Sequence, residues 1–183
     1  MKQALILVDI QNDYFPGGSM ELVGMEAAAQ NARKVLDSFR TRGALVFHIQ
    51  HLAAKPDATF FVADTIGAEH NITVKPEPDE TLIQKNFPNA FRATYLEEQL
   101  RASRIAQLII VGAMSHMCID ATTRAAFDLG FQCTVVQDAC ATRDLQFDGR
   151  TIDAQQVHGS FMAALAAPYA AVVATTEFLN SNN

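Results

Sequence analysis

The side chains with most chemistry to offer are a cysteine, a lysine and an aspartate, each lying at or beyond the end of an apolar run. Cys118 lies six residues beyond Gly112, which closes the run Leu108–Val111. Asp9 follows Ala4–Val8, and Lys85 follows Thr81-Leu82-Ile83-Gln84. A free thiol is mostly protonated at neutral pH, and its thiolate is the nucleophile. A helix N-terminus and a neighbouring cation both favour the anion, so Cys118 at a strand-to-helix turn beside Lys85 would gain from each. The N–H groups of such a turn can also face the oxyanion of a tetrahedral intermediate. Asp9 offers a general base that takes the thiol proton and passes it to a leaving group, with Lys85 holding its carboxylate. Each residue also has a plain structural explanation: a packed cysteine, a strand-end cap and a solvent-facing lysine.

This chemistry needs elements that bring the three ends together. Ala4–Val8 is an unbroken apolar run, the pattern of a strand buried on both faces. Ala44–Ile49, Leu108–Val111, Thr134–Val136 and a weaker Ala171–Ala174 read the same way. Between them, helical spacing predicts helices over Gly24–Arg42, Thr94–Ser103, Ile119–Leu129 and Ala154–Ala166, with Gly43 and Gly130 as stops. Alternating strands and helices predict one doubly wound α/β domain over residues 1–183, a parallel sheet with helices on both faces. Ligands bind such sheets outside the carboxyl ends of the strands, which is where Asp9, Lys85 and Cys118 fall. Leu52–Thr81 carries Pro56, Pro76 and Pro78 and has no clean period, so it reads as an excursion near the site.

Composition narrows the class of partner. A formal net charge of −6 with no basic cluster argues against nucleic acid. The apolar start reaches Asp9 too soon for a signal peptide, and no run approaches a membrane span, so a cytoplasmic protein without membrane partners is expected. Three cysteines, Cys118, Cys133 and Cys140, lack the spacing of a zinc site or a disulfide framework. Cys133 and Cys140 flank a predicted buried strand and read as structural.

Three ordered motifs carry a resemblance. Ile6-Leu7-Val8-Asp9-Ile10-Gln11-Asn12-Asp13-Tyr14-Phe15 resembles the opening motif of the isochorismatase-like cysteine hydrolases. Lys85-Asn86-Phe87-Pro88-Asn89-Ala90-Phe91 resembles their lysine segment, and the stretch from Val111 to Thr122 around Cys118 their nucleophile segment. The resemblance spans essentially the whole chain. It implies a six-stranded parallel sheet, a triad of Asp9, Lys85 and Cys118, a cis peptide before Met114, and an oxyanion hole from the amides of Met114 and Cys118. It also implies hydrolysis of a small amide, lactam or carbamoyl compound through an acyl-enzyme, and assembly into dimers or tetramers. The nicotinamidase branch carries an Asp-x-His metal pair after the second strand. Gln50 and Leu52 stand at those positions here, so no metal or other cofactor is expected. His48 and His51 would face opposite sides of a strand.

The remaining expectations concern a small-molecule substrate. Phe15, Phe60, Phe87 and Phe91 are candidates for an apolar pocket wall, His116 for a substrate contact in the nucleophile loop, and Glu69 for an acidic group entering from the excursion. Arg143 and Asp144 read as a surface pair or subunit contact. Two alternatives stay open. A vinyl-ether hydrolase of the isochorismatase kind would keep turnover in Cys118→Ala but lose it in Asp9→Ala. A silent binding or redox-sensing member of the fold would show no hydrolysis, and a sensor would add reversible oxidation of Cys118.

Overall fold

Ala4, Leu5, Ile6 and Val8 are wholly shielded from solvent in the computed structural model, which describes residues 1–181. In chain order the strands are β1 (Gln3–Val8), β2 (Leu45–His51), β3 (Thr81–Lys85), β4 (Gln107–Ala113), β5 (Gln132–Ala141), β6 (Leu145–Phe147), β7 (Arg150–Ile152) and β8 (Ala171–Val173). β6 and β7 form a separate antiparallel hairpin. The other six form one parallel sheet in the order β3-β2-β1-β4-β5-β8.

The helices are α1 (Met25–Thr41), α2 (Leu96–Ala102), α3 (Asp120–Asp128), α4 (Ala154–Ala166) and α5 (Thr175–Ser181). Alternate residues of each inner strand feed opposite faces. Leu5 and Leu7 of β1 join Ala32, Leu36 and Phe39 of α1 and Phe178 of α5. Ala4, Ile6 and Val8 join Leu100 of α2, Ala126 of α3 and Leu165 of α4. Two cores on one sheet explain why the strands read as unbroken apolar runs, each large side chain contributing about 1.5–3 kcal/mol of burial. Gly43 and Gly130 close α1 and α3 with matching pairs of bonds: Gly43 N–H to Arg40 and Ala44 N–H to Phe39, Gly130 N–H to Phe127 and Phe131 N–H to Ala126. Among the described residues, no helix is long and apolar enough to cross a membrane.

The doubly wound sheet and the four predicted helices are present, and the elements differ in detail. β5 continues to Ala141, well past Val136, because its polar residues are satisfied in place. Asp138 Oδ1 accepts both the N–H and the hydroxyl of Thr175, each at 2.7 Å. The sequence pattern does not predict the hairpin or α5. Asp148 and Gly149 both have positive φ (49° and 70°), so the hairpin turns through the two-residue Asp-Gly connection that favours such geometry.

The order of strands reverses between β1 and β4, which opens a crevice beyond their carboxyl ends. Gly112 makes the close approach there possible. It pairs with Val8, its φ is +123°, and a Cβ would run into the Val8 carbonyl.

Candidate active site

Four neighbouring strands end at one place. β1 ends before Asp9, β2 ends in His51, β3 ends in Lys85, and β4 leads through the cis peptide Ala113–Met114 into a one-turn π-helix, Ser115–Ile119, that carries Cys118. Asp9 leaves the ladder in a left-handed conformation with φ 52°, which costs a non-glycine residue roughly 1 kcal/mol. Its N–H stays tied to the Ile49 carbonyl at 3.0 Å. The Met114 carbonyl accepts the N–H groups of Met117 and Ile119, which fixes the turn around the thiol.

The three side chains singled out by the sequence meet. Lys85 Nζ lies 2.8 Å from Asp9 Oδ2 and 3.3 Å from Cys118 Sγ, and all three residues are buried. A fourth residue completes the cluster: Lys85 Nζ is also 2.8 Å from His51 Nδ1. Donor atoms of Asp9, His51 and Cys118 lie within 4.8 Å of one another, a set that could hold a cation. The Lys85 ammonium touches all three residues. At the positions matching the Asp-x-His pair, Gln50 donates to the Ala68 carbonyl and accepts from Gln84, and Leu52 carries no ligand atom.

Electrostatics sets the resting state. Burial works against the charge of Lys85, but the Asp9 carboxylate and the Cys118 sulfur outweigh it and lift the ammonium above its ordinary value. Burial and then the Asp9 charge push the Cys118 thiol well up, and the opposing pull of Lys85 does not reverse this. Asp9 supplies the counter-charge for Lys85, and burial of the sulfur favours its protonated form. Asp9 Oδ1 is buried and has no hydrogen-bond partner among the described residues, which leaves it open to a proton from its neighbourhood.

The surroundings hold the cluster from several sides. Gln11 brackets the end of β2, its Oε1 taking the His51 N–H at 2.8 Å and its Nε2 donating to the His51 carbonyl and to Ala68. Asp13 takes the Phe61 N–H on Oδ2 at 2.6 Å and the Ser19 N–H on Oδ1, and its carboxylate packs against Gly67. The opening motif thus anchors residues 60–71 of the excursion, and Asn12 and Ile10 add backbone bonds to Glu69 and Asn71. On the other side, Thr122 accepts the Ala90 N–H at 3.1 Å, joining the lysine segment to α3. Ser115 Oγ meets His158 Nδ1 of α4 at 2.8 Å.

The candidate pocket residues divide. Phe60 joins a wall with Tyr14 and Phe61, and Phe61 reaches the ring of His51 at 5.7 Å. Phe15 is half-buried and packs on the adjoining core. Phe87 carries the Arg92 guanidinium 3.7 Å over its ring. Glu69 is exposed, and neither it nor Phe87 has a hydrogen bond or ring contact to the cluster among the described residues. His116 Nδ1 lies 2.6 Å from Thr142 Oγ1, and its ring stands edge-on to Phe161. Arg143 and Asp144 are not an ion pair: Arg143 donates to the Asp144 backbone carbonyl, while the Asp144 carboxylate takes the Ala154 N–H. The charge of Arg143 acts instead on Tyr14 and His116. His51, Gln11 and Tyr14 were not among the candidates. His51 could have been found by the same strand-end rule that selects Lys85, its partner in register.

Comparison with known proteins follows the same lines. The isochorismatase domain matches residues 3–177. An uncharacterized isochorismatase family protein of Bacillus subtilis is 49% identical over 98% of this chain and 99% of its own. A streptothricin hydrolase of Streptomyces noursei is 35% identical over 78% of this chain and 51% of its own. A solved structure from Oleispira antarctica, assigned to the isochorismatase hydrolases, superposes with a TM-score of 0.95 at 46% identity, covering 98% of this chain and 96% of the other.

Proposed function

The chain belongs to the isochorismatase family of hydrolases, and from that premise we propose that it cleaves a C–N bond in a small amide, lactam or carbamoyl compound through an acyl-enzyme on Cys118. The observation that carries the reading is the buried contact of Lys85 Nζ with both Asp9 Oδ2 and Cys118 Sγ, beside a carboxylate oxygen that has no hydrogen-bond partner among the described residues.

The steps follow from that geometry. As Sγ attacks the carbonyl carbon, its proton passes to Asp9 Oδ1, so a thiolate forms only while it is being consumed. Lys85 stays an ammonium throughout and steadies the negative charge as it shifts from carboxylate to sulfur. The carbonyl π pair moves onto oxygen, where the amides of Met114 and Cys118 receive it. When the oxyanion collapses, the C–N bond breaks and Asp9 returns the proton to the departing nitrogen. Water then gives its proton to Asp9 and attacks the thioester, and the acid leaves as sulfur takes the proton back. The sum is amide plus water giving acid plus amine, with no redox change and no resident metal. Phe60, partly buried and packed on Phe61 and Tyr14, supplies an apolar contact for the substrate. Arg143, which has no carboxylate partner among the described residues, suits a substrate with an acidic substituent.

A panel of primary amides, lactams and N-carbamoyl acids, read by mass spectrometry of the products, tests the reading. Hydrolysis of at least one class, abolished in both Cys118→Ala and Asp9→Ala, is expected. Turnover that survives Cys118→Ala would overturn it, and turnover of a vinyl-ether substrate kept in Cys118→Ala but lost in Asp9→Ala would favour acid-catalysed vinyl-ether chemistry instead.

A further inference from the structure

Lys85 carries three N–H bonds, and Asp9 and Cys118 account for two of them. The third points at His51 Nδ1, 2.8 Å away. Lys85 is 1% exposed, so an N–H without an acceptor here would be a buried charged donor left unsatisfied. His51 can accept only with a lone pair on Nδ1, which requires the neutral ring with its proton on Nε2.

The ring is held for that role. Gln11 clamps both backbone groups of His51, and Phe61 lies against the ring. The charged and titratable groups facing it are Lys85 from β3, Asp9 from the end of β1 with Oδ2 at 3.8 Å, and Cys118 from the turn after β4. Protonating His51 would set N–H against N–H across 2.8 Å and bring a second positive charge against the ammonium. Burial and then Lys85 lower the affinity of His51 for that proton, with Asp9 pulling the other way.

Resting on the assignment of Cys118 as nucleophile, we propose that neutral His51 is a positioning residue that fixes the Lys85 ammonium between Asp9 and Cys118. Its protonation then acts as an acid-side switch on the reactivity of the thiol. The effect passes through Lys85, because the ammonium can face sulfur and carboxylate together only while its third proton has somewhere to go.

Alkylation of Cys118 by iodoacetamide, followed by peptide mapping from pH 5 to 9, tests this without knowledge of the substrate. In the wild type, the slope of log rate against pH should steepen from about one toward two at the acid end of the range, as thiol ionisation and His51 titration add. His51→Asn keeps an acceptor oxygen near the Nδ1 position and cannot titrate. It should hold a slope of about one throughout and stay within about threefold of the wild-type rate at pH 8. His51→Leu should lose about tenfold or more at every pH, and the Asn variant keeps the test decisive if the Leu variant does not fold. A Leu variant with the wild-type profile, or an Asn variant that still steepens, would overturn the proposal while leaving the nucleophile in place. A folded wild type whose Cys118 resists alkylation at every pH would overturn the nucleophile assignment and this inference together.

Discussion

Lys85 and Asp9 are a buried pair whose mutual dependence can be measured apart from any substrate. Their side chains are fully shielded and joined at 2.8 Å. Lys85→Met removes the ammonium and keeps the apolar stem, and Asp9→Asn removes the charge and keeps the shape. Each single change leaves an uncompensated buried charge, which costs about 3–5 kcal/mol. The double variant leaves neither charge behind, so its loss should fall below the sum of the two by at least about 3 kcal/mol. For a domain of this size, 1 kcal/mol corresponds to about 2–4 °C, so each single variant should melt about 6–20 °C below the wild type. Urea unfolding at pH 7 with linear extrapolation gives the cycle directly. Its pH dependence has a defined sign. The folded-state value of Lys85 lies above its ordinary 10.5, so the stabilisation is complete below about that pH and is lost as pH rises through the higher folded value. The wild-type advantage over Lys85→Met should therefore be flat through neutrality and decline only at strongly alkaline pH. Losses that add to within about 0.5 kcal/mol would refute the coupling and the picture of Lys85 as partner to Asp9.

Other regions make further demands. Glu80, held by Arg40 at 2.8 Å and by His48 at 2.8 Å, sits at about 2 against an ordinary 4.5 despite a contrary push from burial. A depressed carboxylate stabilises above its unfolded value, so the wild-type advantage over Glu80→Gln should be about 1–3 kcal/mol at pH 7, allowing for partial screening, and fade between pH 4.5 and 2 in urea titrations. Gly112→Ala would force a Cβ onto the Val8 carbonyl at φ +123°. It should cost at least about 1–3 kcal/mol by thermal melting and lower Cys118 alkylation, since β4 carries the nucleophile turn. With a hydrolysed substrate in hand, Arg143→Ala should raise KM about tenfold for acidic members and leave neutral ones within about twofold, with kcat retained in steady-state assays.

Much of this architecture was legible because the relevant physics is local. The runs Ala4–Val8 and Leu108–Val111 advertise strands covered on both faces, and Gly43 and Gly130 stop their helices where the pattern places them. Strand ends then led to Asp9, Lys85 and Cys118 together. The short hairpin was lost because its residues are mostly exposed, Phe147 at 73%, and show no buried alternation, although the Asp148-Gly149 pair was a usable turn signal. His51 was weighed only against His48 as a metal pair. Its partnership with Lys85 depends on the register of β2 with β3, which spacing along the chain does not encode. The turn and the cation beside Cys118 are visible in the residues, but the burial of its sulfur and the proximity of Asp9 come from packing.

The most direct test is to catch the acyl group. Rapid acid quench of the enzyme with a hydrolysed substrate, followed by intact-mass and peptide analysis, should show the acyl mass on the peptide containing Cys118, rising and decaying at rates compatible with turnover. Asp9→Ala should fail to accumulate it. Sustained hydrolysis with no adduct on Cys118 at any quench time, joined to retained activity in Cys118→Ala, would contradict the account.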